Sequence, residues 1–188
     1  HTNFVEGYRE QTQSVSNFYG TQLEWIVQRS ADLLGEQFLE MTFAALVNST
    51  VYTGGTPVND TVRFHNARGN AIIDTVEVII GSSSFDKWTG EFLEIWNEVS
   101  CPSDKDAGPM IGRFDNQDDL VRAATVSQTL WAKLPFWYSS SPGQHCPLIA
   151  LQYHQFILRV KLKNRSDVVV VTGGATSTDP AAAGNGGG

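Results

Sequence analysis

The sequence predicts an all-β fold, an antiparallel jelly-roll sandwich with one or two short helices in the connections. Three observations lead to this prediction. About eight short segments show the alternation of apolar and polar residues that is typical of half-buried strands. Turn-forming residues separate them, and the regular strand-helix-strand order of a parallel α/β sheet is missing. The chain has 188 residues, which suits one such domain.

The N-terminal half begins with polar residues and scattered aromatic residues at 1–20, which predict an extended arm or an edge strand. In the first clear strand Leu23, Trp25 and Val27 share one face. The run QFLEMTFAAL predicts a second strand, and RSADLLGE between the two predicts a turn or one helical turn. Residues 48–70 are rich in Gly, Pro, Asn and Asp, which predicts loops around short strands, away from the core.

The middle of the chain joins a strand, a turn and a helix. The β-branched run from Ile73 to Ile80 predicts a strand with one buried face, and Gly81 to Ser84 predict the turn that follows it. After Asp86 the apolar spacing becomes three and four residues, which predicts a helix of about three turns. Its apolar stripe consists of Phe92, Ile95, Trp96 and Val99. Such a stripe must pack against something.

The C-terminal half continues with a polar loop at 102–119 and a short helix that opens near Asn116 and ends at Ala124. Residues 125–138 predict a strand that Pro135 interrupts, and residues 139–143 predict a turn. The run LIALQYHQFILRVKLK is the clearest alternating strand. Four valines at 168–171 predict a last strand, and the Gly- and Ala-rich residues after it predict a flexible linker or loop.

Composition excludes several classes of function. The formal net charge is -7, so a nucleic-acid backbone would be repelled, and we expect no direct nucleic-acid binding. Two cysteines, Cys101 and Cys146, are too few for a disulfide framework, and we expect them to stay unpaired. No apolar run approaches the length of about 20 residues that a transmembrane helix needs.

No residue pattern points to catalysis, a cofactor or a metal. The richest segment, Ser139 to Cys146, contains serines, a histidine and a cysteine, but its Ser, Pro and Gly content predicts a turn, and the nucleophile-elbow pattern is missing. The four histidines are scattered, and the aspartates at 115–119 lack the spacing of a calcium loop. Phosphate-binding loops are missing too. The chain is therefore predicted not to be an enzyme.

Two sets of residues are candidates for contacts with other molecules. Five tryptophans are predicted to be core or interface anchors, because aromatic residues dominate the energetics of burial: Trp25, Trp88, Trp96, Trp131 and Trp137. Three asparagines lie in glycosylation sequons, at Asn48, Asn59 and Asn164.

Together these segments resemble the major capsid proteins of nucleocytoplasmic large DNA viruses, specifically their N-terminal jelly roll. Three stretches support the resemblance: HTNFVEGYREQTQ as the opening strand, AIIDTVEVIIGSSSFDKWTGEFLEIWNEVS as a strand, turn and helix, and LPFWYSSSPGQHCPLIALQYHQFILRV as an aromatic strand, turn and returning strand. A weaker match, SADLLGEQFLEMTFAAL, joins a polar turn to a core strand. The resemblance covers most of residues 1–165.

The resemblance implies a protein of two fused jelly rolls that trimerises into pseudo-hexameric capsomers of an icosahedral shell. Residues 1–165 would then form the first roll, and residues 166–188 the last strand and a linker toward, or in place of, the second. The implied partners are further copies, neighbouring capsomers and minor capsid proteins. The implied location is the virion capsid, assembled in the host cytoplasm.

Other functional classes remain open at this point. A carbohydrate-binding jelly-roll module of an attachment protein would use exposed Trp88 or Trp137 to stack on sugar rings. A cupin-type enzyme would need histidines clustered inside a barrel, which the dispersed histidines make improbable.

Overall fold

The computed structural model describes residues 5–13, 15, 17–46, 52–53, 56–57, 61–101 and 107–172. Strands dominate, and every pair of them in this part of the chain is antiparallel. The strands are β1 (Gln22–Ile26), β2 (Leu33–Leu34), β3 (Gln37–Phe43), β4 (Tyr52–Thr53), β5 (Thr56–Pro57), β6 (Thr61–Phe64), β7 (Ile73–Ile80), β8 (Ser83–Thr89), β9 (Gln128–Leu134), β10 (Cys146–Pro147), β11 (Phe156–Leu162) and β12 (Val169–Thr172). The helices are α1 (Arg68–Ala71), α2 (Gly90–Ser100), α3 (Gly108–Ile111) and α4 (Gln117–Ala124).

The main sheet has four strands in the order β1-β11-β7-β8. Its central strands follow the predicted alternation, since in β11 every second residue from Phe156 to Leu162 is buried. β3 pairs with β9, and their buried faces share one continuous core with β7 and β11. β12 pairs with β6, whose Val62 and Phe64 belong to the same core. Two layers of antiparallel strands therefore enclose one core.

An arginine lies inside this core. The guanidinium of Arg68 lies 5.3 Å from the ring centroid of Phe43 and 4.6 Å from that of Phe64. Its Nη2 donates to Gln128, whereas Nε and Nη1 have no hydrogen-bond partner among the described residues. Burial lowers the pKa of Arg68 to about 10. Because the charge is desolvated, the two aromatic faces are its main compensation.

The predicted excursion at 48–70 is partly wrong. Asn48, Asn59 and most of this range lie outside the described residues, but β6 is part of the core and α1 is packed inside the fold. In the segment NARGN, Asn66 and Ala67 form a turn as expected, but Arg68, Gly69 and Asn70 belong to the short helix α1 and are buried. Tertiary packing therefore outweighs the local preference for a loop here.

The predicted turn after β7 is also shorter than expected. Only Gly81 and Ser82 form it, with Gly81 at a φ of 65°, and β8 begins at Ser83. The serines and the charged residues of β8 hide its strand character in the sequence, because β8 is an edge strand with most of its residues exposed. The change of spacing after Asp86 predicts a helix there, and α2 begins slightly later, at Gly90.

Other connections refine the prediction. α4 follows the prediction, since Asn116 Oδ1 accepts from the backbone N–H of Asp118 at 3.1 Å. β9 ends before Pro135, as expected. β11, however, begins at Phe156 rather than near Leu148. The segment RSADLLGE, predicted as a turn or one helical turn, contains β2, which pairs with β10. The sequence does not indicate this strand, because two residues are too few to show an alternation. Cys101 and Cys146 do not form a disulfide bond with each other.

Candidate functional site

The segment with the most reactive side chains is a packed turn. Ser139 is buried, and its hydroxyl donates to the carbonyl oxygen of Phe136 at 2.7 Å. Burial raises the pKa of the Cys146 thiol, which disfavours the nucleophilic thiolate. Across the described residues, no three His, Cys, Asp or Glu side chains are grouped so that they could hold a metal ion. Chemistry at this segment has no structural support.

A small cavity of about 310 Å³ lies at one end of β1 and β11. Its walls are mainly apolar, with Ile26, Leu148 and Phe156 among them. Arg29 lines it as well, and its guanidinium donates to the backbone carbonyl of His154 at 3.1 Å. The cavity brings no acid-base pair or nucleophile together.

The most distinctive surface feature is a stack of three aromatic rings at the start of α2. The rings of Trp88 and Phe92 are stacked at 4.3 Å between centroids, and those of Phe92 and Trp96 at 6.0 Å. Phe92 and Trp96 are four residues apart on the helix and therefore lie one above the other, whereas Trp88 reaches Phe92 from the end of β8. Trp88 packs against the core, whereas 43% of Trp96 is exposed. The stack therefore leads from the core to the surface.

Two local features fix the start of α2. The hydroxyl of Thr89 caps the helix by accepting from the backbone N–H of Phe92 at 3.3 Å. Gly90 lies against α1 and β7 so closely that a Cβ atom there would be 2.3 Å from the carbonyl oxygens of Asn70 and Ile73. Only glycine fits this contact. It sets the rotation of the helix, so Leu93 points inward and is buried.

Most of the predicted stripe of α2 is therefore left uncovered by the chain itself. Ile95, Trp96 and Val99 are 61%, 43% and 79% exposed, and Phe92 is half-buried. We call these four residues the α2 apolar face. Helical spacing makes them neighbours. An exposed apolar group of this kind is typical of a surface that contacts another molecule.

The carboxylates of α2 are partly neutralised from within the chain. Arg113 forms ion pairs with both Glu94 and Glu98, and Lys163 lies 3.2 Å from Glu91. The pKa of Arg113 is raised, chiefly by its side-chain hydrogen bond to Glu94. Two cations thus face three glutamates, so the helix and these partners together keep one negative charge. This small charge opposes the approach of a partner to the α2 apolar face only weakly.

The other predicted contact residues are dispersed. Trp25 is partly buried against the core, and Trp131 and Trp137 are about half-exposed on separate elements. The backbone N–H of Trp137 donates to Asp86 Oδ2 at 3.3 Å. Asn164 is exposed at the turn after β11, whereas the sequons at Asn48 and Asn59 lie outside the described residues. The anchor and glycosylation roles of these residues stay predictions.

No helix in the described parts of the chain has the length and apolar character required to cross a bilayer.

Comparison with known proteins gives consistent matches. Residues 1–185 match the family described as "Major capsid protein N-terminus". The major capsid protein of Pyramimonas orientalis virus is 31% identical over 97% of this chain and 43% of its own length. Capsid protein 1 of Acanthamoeba polyphaga mimivirus is 31% identical over 92% of this chain and 30% of its own. The chain thus spans less than half the length of these relatives.

Solved structures agree with the sequence comparison. The Faustovirus major capsid protein superposes with a TM-score of 0.64 at 12% identity, over 84% of this chain and 42% of that one. A quasi-atomic model of the PBCV-1 virus capsid superposes with a TM-score of 0.63 at 21% identity, over 86% of this chain and 38% of that one. These likenesses confirm the predicted jelly-roll fold.

Proposed function

The chain belongs to the major capsid protein family of nucleocytoplasmic large DNA viruses, and we propose that it acts as a structural subunit whose copies associate into the trimeric, pseudo-hexameric capsomers of an icosahedral shell. The relatives are named as capsid proteins, which supports a structural role over a catalytic one. Neighbouring capsomers and minor capsid proteins are the further proposed partners. The proposed location is the virion capsid, assembled in the host cytoplasm.

Residues 1–165 are proposed to form the first of two rolls. Residues 166–188 are proposed to contain the last strand of this roll and then the linker. β12 pairs along its whole length with β6, which supports counting it with the roll and starting the proposed linker after Thr172.

The observation that supports self-association most strongly is the α2 apolar face. Burying a large apolar side chain is worth about 1.5–3 kcal/mol, so a surface with three such groups outside the core, Ile95, Trp96 and Val99, favours a partner. A further copy is a suitable partner, because the paired glutamates leave little charge on the helix to oppose another α2. Shell proteins also gain from weak contacts that are repeated by symmetry.

The test is sedimentation equilibrium of the wild-type chain and of Ile95→Lys. We expect the wild-type chain to associate with rising concentration, and Ile95→Lys to weaken association by about 10- to 100-fold, since it loses the burial energy of one aliphatic group. Ile149→Lys is the matched control, because Ile149 has the same 61% exposure but lies outside the α2 apolar face. Near-UV circular dichroism checks that both variants keep the fold.

Two outcomes would contradict the proposal. The first is a wild-type chain that stays monomeric at the highest concentration reached. The second is an equal loss of association in Ile95→Lys and Ile149→Lys, since the α2 apolar face would then have no special role.

The carbohydrate-binding alternative has weaker support. One face of Trp88 is covered by Phe92, and Trp137 lies on a separate element without a second exposed ring stacked beside it in the described residues. Stacking on sugars needs an accessible ring face. We expect no specific signal on a glycan array, and Trp137→Ala would abolish any signal that this alternative predicts.

A further inference from the structure

The N-terminal arm, residues 5–13, lies along the open edge of the main sheet but does not join it. Among the described strands, β1 is an edge strand that pairs with β11 alone. None of the described arm residues takes part in a backbone-to-backbone hydrogen bond. Two side chains hold the arm instead: Gln11 Nε2 donates to the carbonyl of Ile26 at 3.3 Å, and Gln13 Nε2 donates to that of Glu24 at 2.5 Å.

The contacts reveal which backbone groups of β1 are available. Thr21 and Val27 bond to β11, through Leu162 N–H to Thr21 O and Val27 N–H to Phe156 O. Bonding alternates along an antiparallel strand, so the backbone groups of Gln22, Glu24 and Ile26 face the open edge. The arm meets them in antiparallel order, with Gln11 beside Ile26 and Gln13 beside Glu24. It thus occupies the place of a fifth strand, at side-chain distance.

The arm is held weakly on its own chain. All of its residues are exposed except Gln11, which is half-buried. The arm has one ring contact with the described residues, that of Tyr8 with Phe38, at 6.4 Å between centroids. The fixed point of the chain comes later, at Phe18, which packs edge-on against Phe43 at 5.7 Å. Residues 5–13 can therefore leave β1 at the cost of a few exposed contacts.

We propose that the arm of one copy pairs with the β1 edge of a neighbouring copy, exchanging strands between subunits. This inference rests on the proposed self-association of the chain. A second copy is the occupant that the contacts of the arm support, because the arm already lies against this edge, and exchange restores the same contacts between chains. An arm from another copy is not tethered to the β1 it contacts. It can therefore approach to the strand spacing of about 4.8 Å and form a backbone ladder.

Reach and concentration favour the exchange within an assembly. About ten extended residues span about 33 Å, which is comparable to the width of a small domain. In an assembly, neighbouring copies present their arms to each other's β1 edge at a high effective concentration. Even a short backbone hydrogen-bond ladder between arm and edge then forms in most copies. An open edge strand also needs a cover, because its unpaired backbone groups invite uncontrolled pairing.

The test uses two variants that can be cross-linked only between copies. One copy is tagged and contains Thr12→Cys, the other contains Ile26→Cys, and Cys101→Ser is present in both, while Cys146 stays because it is buried. A short bismaleimide is added to the mixed, associated protein. Exchange predicts a heterodimer on a denaturing gel, at a yield on the order of tenfold above both homodimers.

Tyr153→Cys in place of Ile26→Cys is the control for random collision, because Tyr153 is 92% exposed and is not an edge residue of β1. Sedimentation of the same mixture separates the two proposals. Association without excess heterodimer overturns the strand exchange alone. A mixture that does not associate overturns the exchange and the proposed self-association together.

Discussion

The inner face of the main sheet and the α2 apolar face look alike in sequence but have opposite surroundings. In β7 and β11 the apolar residues are closed off by β3 and β9 in one core. On α2 the periodic residues Ile95, Trp96 and Val99 point outward. Apolar periodicity in the sequence therefore identifies a face that a partner will cover. It does not identify whether that partner is the same chain.

Replacing a residue of the core should change the free energy of unfolding most. Phe43 is fully buried and contacts the rings of Phe18 and Phe64 as well as the guanidinium of Arg68. Phe43→Ala should lower the free energy of unfolding by about 3–5 kcal/mol, because it creates a cavity and removes the arginine's aromatic cover. Urea denaturation measures this change.

Phe38→Ala is the matched control on the same strand. Phe38 lies on the opposite face of β3 and is 38% exposed. Its replacement should cost less than about 1.5 kcal/mol, since little buried area is lost. Equal costs at the two positions would contradict the placement of the core.

The next effect tests what orients α2. Gly90→Ala should destabilise the chain by about 1–3 kcal/mol, because the new Cβ would press on two carbonyl oxygens and shift the helix. Gly143→Ala is the control, since a Cβ there has nothing within 4 Å. We expect it to leave stability unchanged or to raise it by up to about 1 kcal/mol. Thermal unfolding of both variants measures these changes in stability. A Gly90→Ala variant as stable as the wild-type chain would contradict the close contact at Gly90.

The smallest effect on stability belongs to the exposed end of the stack. Trp96→Ala should lower the free energy of unfolding by about 1 kcal/mol, mainly through the lost contact with Phe92. The same variant should weaken self-association clearly. If Trp96→Ala instead unfolded the chain as Phe43→Ala does, Trp96 would be a core residue.

The sequence is sufficient to predict the elements whose pattern reflects burial within the chain. β7 and β11 alternate because one face of each meets the core, and the capping residue Asn116 indicates the start of α4. β8 escapes prediction, because an exposed edge strand needs no apolar alternation. Buried Arg68 escapes as well, since nothing local distinguishes it from an exposed arginine.

The candidate surface is only half predictable. The stripe on α2 is visible in the spacing of Phe92, Ile95, Trp96 and Val99, and so is its need for a partner. Its exposure depends on Gly90 and on its close contact with α1 and β7, which brings residues distant in sequence together. The paired glutamates depend on Arg113 and Lys163 in the same way.

Hydroxyl-radical footprinting of the dissociated and associated chain shows directly whether copies meet through the α2 apolar face. We expect labelling of Trp96, Ile95 and Val99 to fall several-fold on association, while Tyr153 stays as reactive as before. Equal labelling of Trp96 in both states, or an equal loss at Tyr153, would mean that the α2 apolar face is not the surface where copies meet.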